Sequence, residues 1–238
     1  MTTTPHPCLA EKEQLQKEFE EFSYIVSHDL KAPIRAISNL SAWIEEDLGE
    51  DLSPDVKQNI DLLRNRTARL ERMIEALLQF SRATRTDMEI VPVSVSELID
   101  ELRDELPENV GLNLPEELPE FITYKLKLKQ VLRNIMQNAV TFTDKNQPCI
   151  FVAWYQQDGM ITFSIADDGQ GIPEDAYEKI FSLFYTVSPK DALDTVGAGL
   201  AISKKIVQFV GGSIRAEANQ HGGTTVHFSW PSSIQTLN

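Results

Sequence analysis

The 238-residue sequence has few cysteines, fewer bases than acids and no long apolar run. Its two cysteines, Cys8 and Cys149, lie far apart and outside any metal-binding spacing, which argues against a disulfide framework and indicates reduced thiols. No apolar run approaches the ~18 residues of a membrane span, and the first residues lack the basic and apolar regions of a signal peptide. The sequence therefore predicts a cytoplasmic protein without a membrane span.

Acidic residues outnumber basic ones by 36 to 22, which gives a formal net charge of −14. Nucleic acids and anionic membranes both require a basic surface, so this charge argues against either partner. A phosphate ligand is not excluded, because a metal ion and a few backbone N–H groups are enough to hold one. Apolar residues make up 42% of the chain, as in ordinary folded domains, so extended disorder is not expected.

The first third of the chain has helical periodicity. Apolar residues recur in steps of three and four from Leu15 to Leu48, and again from Val56 to Leu78. Residues 53–55, Ser-Pro-Asp, supply an N-cap, a first-turn proline and a first-turn acid for the second helix. One hairpin cannot bury both apolar stripes, so two hairpins are expected to form a four-helix bundle in a homodimer.

After about residue 86, short segments rich in branched and aromatic residues alternate with helical ones, which indicates helices on one face of a mixed sheet. Asp158-Gly159 is a strong hairpin signal between two of the strands. The expected strands are Met88–Val91, Gly111–Leu114, Ile150–Gln156, Met160–Ala166, Ser213–Ala218 and Thr224–Trp230. The expected helices are Val95–Leu106, Leu126–Phe142, Glu174–Ile180 and Gly199–Val210.

This change of pattern near residues 85–89 divides the chain into three segments. Residues 1–14 are expected to form a flexible lead, 15–87 an all-α helical hairpin, and 88–238 an α+β domain. Acids concentrate in the last segment, where Glu97–Glu120 holds nine of them against Arg103 alone. We interpret this run as a solvated surface that keeps the domain in solution, with a docking face for a basic partner as the alternative.

Two motifs of the second domain carry polar groups suited to a nucleotide. Asn134 and Asn138 lie four residues apart and so share one helix face, and amide oxygens suit Mg²⁺, although a solvent-facing polar stripe has the same pattern. Residues 167–171, Asp-Asp-Gly-Gln-Gly, follow a strand. Their first carboxylate can accept a hydrogen bond from an exocyclic amine, and the glycines let the backbone approach a flat ring. An acidic glycine turn is common, however, so this motif is weak on its own.

Two further motifs contain glycine. Phe181-Ser-Leu-Phe184 precedes Gly197-Ala-Gly199 at the start of a predicted helix, where free N–H groups and the helix dipole favour phosphate. Residues 222–225, Gly-Gly-Thr-Thr, open the last strand, and their hydroxyl groups are expected to reach the same cavity.

In this order the four motifs resemble the ATP-binding domain of sensor histidine kinases, whose GHKL-type (Bergerat) fold is shared with gyrase and Hsp90-type chaperones. Residues 27–33, Ser-His-Asp-Leu-Lys-Ala-Pro, resemble the phosphoacceptor motif of histidine kinases, which gyrase-like relatives lack. The resemblance covers nearly the whole chain. Within the family, the sequence is similar to the kinases of phytochrome-type soluble sensors.

The resemblance implies that His28, assisted by Asp29, attacks the γ-phosphate of ATP and passes the phosphate to an aspartate of a separate response-regulator receiver. It implies that Asn138, helped by Asn134, holds Mg²⁺, and that Asp167 accepts a hydrogen bond from the adenine amine. The other residues expected at the nucleotide are Gly169, Gly171, Gly197, Gly199 and Thr224. A lid is expected over residues 182–196. Residues 1–14 are too few for a sensor, so an upstream sensor domain or sensor protein is expected.

Some positions depart from the family pattern. Ala32 stands where many relatives carry Thr or Asn four residues after the phosphoacceptor, so weak phosphatase activity is expected. Thr141 replaces a common base near the phosphates, and Lys145 or Lys190 are the candidates to substitute for it. Thr195 replaces a glycine. Ala198, in the same motif, replaces a usual leucine, so lid closure is expected to differ.

These departures keep two alternatives open. One is a histidine phosphotransfer module with a degenerate ATP domain, and the other is a non-enzymatic, nucleotide-binding dimeric scaffold. The intact asparagine pair and the Asp167 motif favour the kinase over both.

Overall fold

The computed structural model describes residues 7–49, 53–187 and 195–234. Contacts between residues divide the chain into two units, with the main boundary between Arg82 and Ala83. Within the described ranges, no helix is both long enough and apolar enough to cross a membrane.

The first unit is a helical hairpin of α1 (Pro7–Leu48) and α2 (Pro54–Arg82). Helix α1 begins eight residues before the predicted start at Leu15, so residues 7–14 of the expected flexible lead are helical, while residues 1–6 lie outside the described part of the chain. The early start has a local cause, because Pro7 suits a first helical turn and no glycine follows before Gly49. Ion pairs join the helices, with Lys31 Nζ 2.6 Å from Glu75 Oε2.

The hairpin buries only part of the two predicted apolar stripes, as expected for a single hairpin. Ile60 and Ile74 of the α2 stripe are buried, whereas α1 buries Ile34 together with Ser23, Ser27 and Ser41. Much of the predicted α1 stripe is exposed, and Phe22 and Leu40 are 64% and 53% exposed. Serine side chains let two helix backbones approach closely, and a serine hydroxyl such as that of Ser23 can bond to its own helix, here to the Phe19 carbonyl.

The second unit is an α+β sandwich, which confirms the fold class predicted for it. Its strands are β1 (Ile90–Ser94), β2 (Gly111–Asn113), β3 (Glu120–Tyr124), β4 (Cys149–Gln157), β5 (Met160–Asp167), β6 (Ile214–Ala218) and β7 (Thr224–Pro231). Its helices are α3 (Val95–Arg103), α4 (Lys125–Thr141) and α5 (Gly199–Phe209). Strands β2-β4-β5-β7-β6 form one mixed sheet, in which only β2 and β4 pair in parallel, and β1 and β3 form a separate antiparallel ribbon.

Two element predictions were wrong. No strand was expected at Glu120–Tyr124, yet these residues form β3 and bury alternate side chains, Phe121 and Thr123. A helix was expected at Glu174–Ile180, but this stretch forms two single 3₁₀ turns, Glu174–Ala176 and Lys179–Phe181. Seven residues after a proline are too few to sustain an α-helix, and the short turns already bury Ala176 and Phe181.

The core lies between one face of the sheet and helices α4 and α5. The rings of Phe163 and Phe228 stack across β5 and β7 with their centroids 5.0 Å apart, and Trp230 is fully buried beside them. The Trp230 indole N–H donates to Thr123 Oγ1 at 2.7 Å, which joins the five-stranded sheet to the β1–β3 ribbon.

A buried lysine ties the start of this unit to α4. Lys127 is 1% exposed and its ammonium donates to the carbonyls of Ala83 and Thr86, each at 2.7 Å, while lying 5.2 Å from the centre of the Phe209 ring. Burial lowers the pKa of Lys127, opposed by the charge of Asp87. The lysine therefore fixes residues 83–86 by charge-assisted hydrogen bonds to buried carbonyls.

The variant Lys127→Met tests this anchor. Methionine keeps most of the side-chain length but leaves two carbonyls without their donor, so the free energy of unfolding should fall by about 1–3 kcal/mol. Denaturant titration followed by tryptophan fluorescence measures the change. Lys179→Met is the control, because the ion pair of Lys179 with Asp175 is exposed and its loss should cost less than ~0.5 kcal/mol. Equal stabilities for wild type and Lys127→Met would contradict the assignment.

Candidate functional site

The Asp167 carboxylate, at the end of β5, is the polar centre of the second unit. Its Oδ1 accepts the backbone N–H groups of Gly169 at 2.9 Å and Thr224 at 3.1 Å. Burial raises the pKa of Asp167, while the two N–H groups act in the opposite direction by stabilising the charged form. Within the described residues no donor reaches Oδ2, so this oxygen is available to accept a hydrogen bond from a ligand.

The glycines around Asp167 are required by the close approach of two loops. A Cβ atom on Gly223 would lie 2.3 Å from both the carbonyl oxygen and Oδ1 of Asp167. Gly171 has a φ of +73°, and its Cβ would lie 2.8 Å from the carbonyl of Gly222. A Cβ on Gly169 would lie 3.1 Å from the same Asp167 oxygen. Only glycine fits these positions, so the loops 167–171 and 219–223 pack backbone against backbone.

The two asparagines of α4 have different surroundings. The side-chain amide of Asn134 donates to the Gly199 carbonyl at 3.0 Å and to Ser203 Oγ at 3.2 Å, so it joins α4 to the start of α5. Asn138 is partly exposed, and its side chain has no hydrogen-bond partner among the described residues. Asn138 is therefore the asparagine whose whole side-chain amide is unpaired among the described residues, whereas the Asn134 amide nitrogen holds the start of α5 in place.

The start of α5 offers free backbone N–H groups. Ala198 is the N-cap residue and its side chain supplies no capping hydrogen bond. Just before it, Gly197 has a φ of +70°, accepts the Phe184 N–H at 2.8 Å, and would place a Cβ only 2.2 Å from the Tyr185 carbonyl. An uncapped helix start suits an anion. Much of the expected lid, residues 188–194 including Lys190, lies outside the described residues.

Thr141, which stands in place of a common base, and Lys145, one of the two expected substitutes for that base, both have hydrogen-bond partners. Thr141 Oγ1 donates to the Gln137 carbonyl of its own helix at 2.7 Å. Lys145 Nζ lies 2.9 Å from Asp168 Oδ2, while Asp168 Oδ1 accepts the Cys149 N–H at 2.9 Å. Burial acts to raise the pKa of Asp168, but these two bonds outweigh it and hold the pKa below the usual value. Lys145 is thus held in an ion pair with Asp168.

In the first unit, His28 projects into solvent from α1. Its side chain is 75% exposed, and Nδ1 lies 3.1 Å from Asp29 Oδ1. Because an ionised carboxylate only accepts hydrogen bonds, this contact places a proton on Nδ1 and leaves the lone pair of a neutral ring on Nε2. Ala32, four residues further along α1, is exposed and brings no polar side chain.

The sequence analysis missed one residue of the site, Asn219. Its side-chain amide donates to the Asp167 carbonyl at 2.8 Å, and its oxygen accepts the N–H groups of His221 at 2.9 Å and Gly223 at 3.1 Å. An asparagine shortly before Gly222-Gly223 is the local signal of a side-chain-stabilised turn, and it could have drawn attention to this position.

Comparison with known proteins finds two family models, one in each unit. Residues 20–86 match the family model of the His Kinase A phospho-acceptor domain, and residues 123–234 match that of the histidine kinase-, DNA gyrase B- and HSP90-like ATPases. The first match contains His28 and the second contains the Asp167 loop. A phospho-acceptor hairpin followed by an ATPase domain of this type defines a two-component kinase core.

Individual relatives agree. The chain is 33% identical over 226 residues to cyanobacterial phytochrome B of Nostoc, covering 92% of this chain and 30% of the phytochrome. It spans less than a third of the phytochromes that it matches. The chain therefore has the two domains of a histidine kinase catalytic core, as the sequence analysis predicted.

Solved structures share the fold. The catalytic domain of histidine kinase ThkA is 29% identical with a TM-score of 0.53, and the match covers 62% of this chain and all of that domain. ThkA in complex with the response regulator protein TrrA is 23% identical with a TM-score of 0.65, covering 97% of this chain and 68% of that one.

The variant Gly223→Ala tests the loop packing. The added Cβ meets backbone atoms that cannot move independently, so unfolding free energy should fall by about 1–3 kcal/mol and ATP affinity by at least about tenfold. Thermal unfolding and calorimetric titration with ATP measure the two effects.

Gly199→Ala is the matched control. Its Cβ would lie 3.5 Å from Asn134, an ordinary contact, and alanine favours the helix by about 1 kcal/mol, so stability should be unchanged or higher. A Gly223→Ala protein as stable as Gly199→Ala would show that the two loops do not pack as described.

Proposed function

We propose that this chain transfers the γ-phosphate of Mg-ATP to His28 and then to an aspartate of a separate response-regulator receiver, with input from a sensor domain or sensor protein. The observation that carries the proposal is the exposed His28, held by Asp29, in a chain whose second unit contains the Asp167 site. The phospho-acceptor and ATPase family matches support it. A location in the cytoplasm stays a prediction from the sequence.

The second unit supplies groups for both ends of ATP. Asp167 Oδ2 is a free acceptor for the adenine 6-amino group, with Gly169, Gly171 and Thr224 around it. The N–H groups at the start of α5, after Gly197, suit the phosphates. Of the two candidate side-chain cations, Lys190 lies outside the described residues and Lys145 is paired with Asp168, so the described residues offer the phosphates mainly backbone N–H groups.

Asn138 fits a magnesium ion. The described residues contain no cluster of histidine, cysteine and carboxylate groups that would hold a metal on its own. Mg²⁺ commonly takes one or two protein oxygens together with waters and substrate phosphates, and the partnerless amide of Asn138 offers such an oxygen. When bound, the ion would neutralise charge on the phosphates.

The transfer itself asks little of the protein beyond positioning. The His28 Nε2 lone pair forms a bond to the γ-phosphorus while the bond to the bridging oxygen breaks and ADP leaves with that electron pair. The ring becomes cationic, and the Asp29 carboxylate beside Nδ1–H stabilises the charge and can take up the proton.

A homodimer would complete the hairpin. The apolar side chains that α1 and α2 do not bury against each other are more than 40% exposed, which is unusual for so many large residues in one unit. They are Leu15, Phe19, Phe22, Tyr24, Ile25, Leu30, Ile37, Leu40, Trp43, Ile44, Leu48, Val56, Leu62, Leu63 and Leu70. A second hairpin placed on this stripe forms a four-helix bundle and removes the apolar surface from water.

Incubation with γ-labelled ATP tests the proposal. Wild type and His6→Gln should acquire acid-labile label, and His28→Gln should acquire none. Because the site relies on Mg²⁺ and backbone N–H groups, excess chelator should abolish labelling.

The other outcomes identify the alternatives. No labelling from ATP, with uptake from a phosphorylated receiver, would indicate a phosphotransfer module. ATP binding with neither activity would indicate a scaffold, and label on His28→Gln would exclude His28 as the acceptor.

Ala32→Thr tests the proposed weakness in phosphatase activity. A hydroxyl four residues after His28 lies on the same helix face and can position water, so the variant should dephosphorylate a phosphorylated receiver at least about tenfold faster than wild type. Decay of label on the receiver, with ADP present, measures the rate. Ala32→Val, which adds bulk without a hydroxyl, is the control. Fast decay with the wild-type protein would refute the weakness.

A further inference from the structure

Asn219 occupies the turn between the edge strand β6 and its neighbour β7, and is partly buried there. Its side chain makes three hydrogen bonds to backbone, one as donor and two as acceptor. These bonds use one of the two amide N–H donors and both acceptor lone pairs of the amide oxygen. A side chain that only capped its own turn would not need the bond to Asp167, 52 residues away in the sequence.

The two ends of the Asn219 amide hold two separate loops at a fixed distance. Nδ2 binds the carbonyl of Asp167, and Oδ1 binds the N–H of Gly223. The next residue, Thr224, donates its N–H to Asp167 Oδ1. Asn219 therefore fixes the position of the backbone whose Thr224 N–H binds the Asp167 carboxylate.

The orientation of this carboxylate decides which oxygen a ligand meets. With Oδ1 taken by the N–H groups of Gly169 and Thr224, Oδ2 is the oxygen left to accept a further hydrogen bond. If the 219–223 loop moved away, the Thr224 N–H would move with it and the carboxylate could rotate. Among the described residues no cation is paired with Asp167 to hold it instead, since Lys145 is paired with Asp168.

We infer that Asn219 is a positioning residue for base recognition, which aims Asp167 at the 6-amino group of adenine without touching the nucleotide. The inference rests on the proposed function, in which Asp167 reads adenine. It extends that function by naming the residue on which discrimination between adenine and bases without the amine depends.

Other side chains cannot reproduce these bonds. Aspartate can accept from His221 and Gly223 but has no donor for the Asp167 carbonyl and turns a charged oxygen toward it. Alanine loses all three bonds. Asn219→Asp and Asn219→Ala thus remove the bridge in two different ways, one of which keeps the turn.

The experiment compares the binding of ATP and inosine triphosphate, which carries a carbonyl oxygen where adenine has its 6-amino group. Dissociation constants are measured by calorimetry in Mg²⁺ for wild type, Asn219→Ala, Asn219→Asp and Gln220→Ala. Gln220 is the exposed neighbour in the same turn and is the matched control. Wild type and Gln220→Ala should bind ATP at least about tenfold more tightly than inosine triphosphate, because an unpaired carboxylate opposes the wrong base.

The quantity compared between variants is the ratio of the dissociation constants for inosine triphosphate and ATP. Both Asn219 variants should reduce the preference for ATP at least about fivefold, with binding of inosine triphosphate changed less than about twofold. Equal losses for both nucleotides would show a merely structural role and overturn the inference, as would an unchanged preference. If wild type itself failed to prefer ATP, the adenine role of Asp167 would fail, which is a failure of the proposed function and distinct from the other outcomes. If Asn219→Ala does not fold, the nucleotide preference of Asn219→Asp alone tests the inference.

Discussion

The hydrogen bonds from backbone N–H groups to the Asp167 carboxylate are the interaction on which the second unit's site depends. Removing a carboxylate from water, even in part, costs free energy unless donors compensate it, and here the donors to the partly buried Asp167 come from two different loops. Bringing both loops to one oxygen leaves no room for a side chain at Gly223 or Gly171. The glycines, the partly buried acid and the Asn219 bridge therefore all follow from the need to bring two backbone N–H groups to one carboxylate oxygen.

The sheet makes this convergence possible. Strand β5 lies between β4 and β7, and Ala166 pairs with Thr225. This register places the end of β5 beside the beginning of β7, so Asp167 and Thr224 become neighbours although 57 residues separate them. A shift of one residue would turn Asp167 to the other face and lose the contact. The buried aromatic pairs on β5 and β7, such as Phe163 and Phe228, fix that register.

Sequence patterns were sufficient where the structural cause is local. Helical periodicity predicted the two long helices, and alternation predicted the strands on either side of Asp158-Gly159. Patterns failed where neighbours in space decide the outcome. Strand β3 exists because it pairs with β1, and residues 174–180 form 3₁₀ turns because they pack into a small separate cluster.

The same limit applies to the site. The motif spacing identified Asp167 and its glycines, since these lie within one loop. That Asn134 bonds to α5 depends on how α4 and α5 pack, and the role of Asn219 depends on a contact between loops 52 residues apart. The spacing of residues in a motif does not show which neighbouring element a helix face packs against, nor does it show a contact between residues 52 positions apart.

In the hairpin, the apolar pattern predicted helices with more apolar surface than one hairpin can bury. The stripe from Leu15 to Leu48 has the spacing of a packing surface, yet α1 buries Ile34 with Ser23, Ser27 and Ser41 and leaves much of the stripe exposed. The exposed apolar side chains leave a large hydrophobic contribution unused within one chain. Dimerisation would therefore be part of the stability of this unit, and the position of His28 on the same helix would link the phosphoacceptor to that assembly.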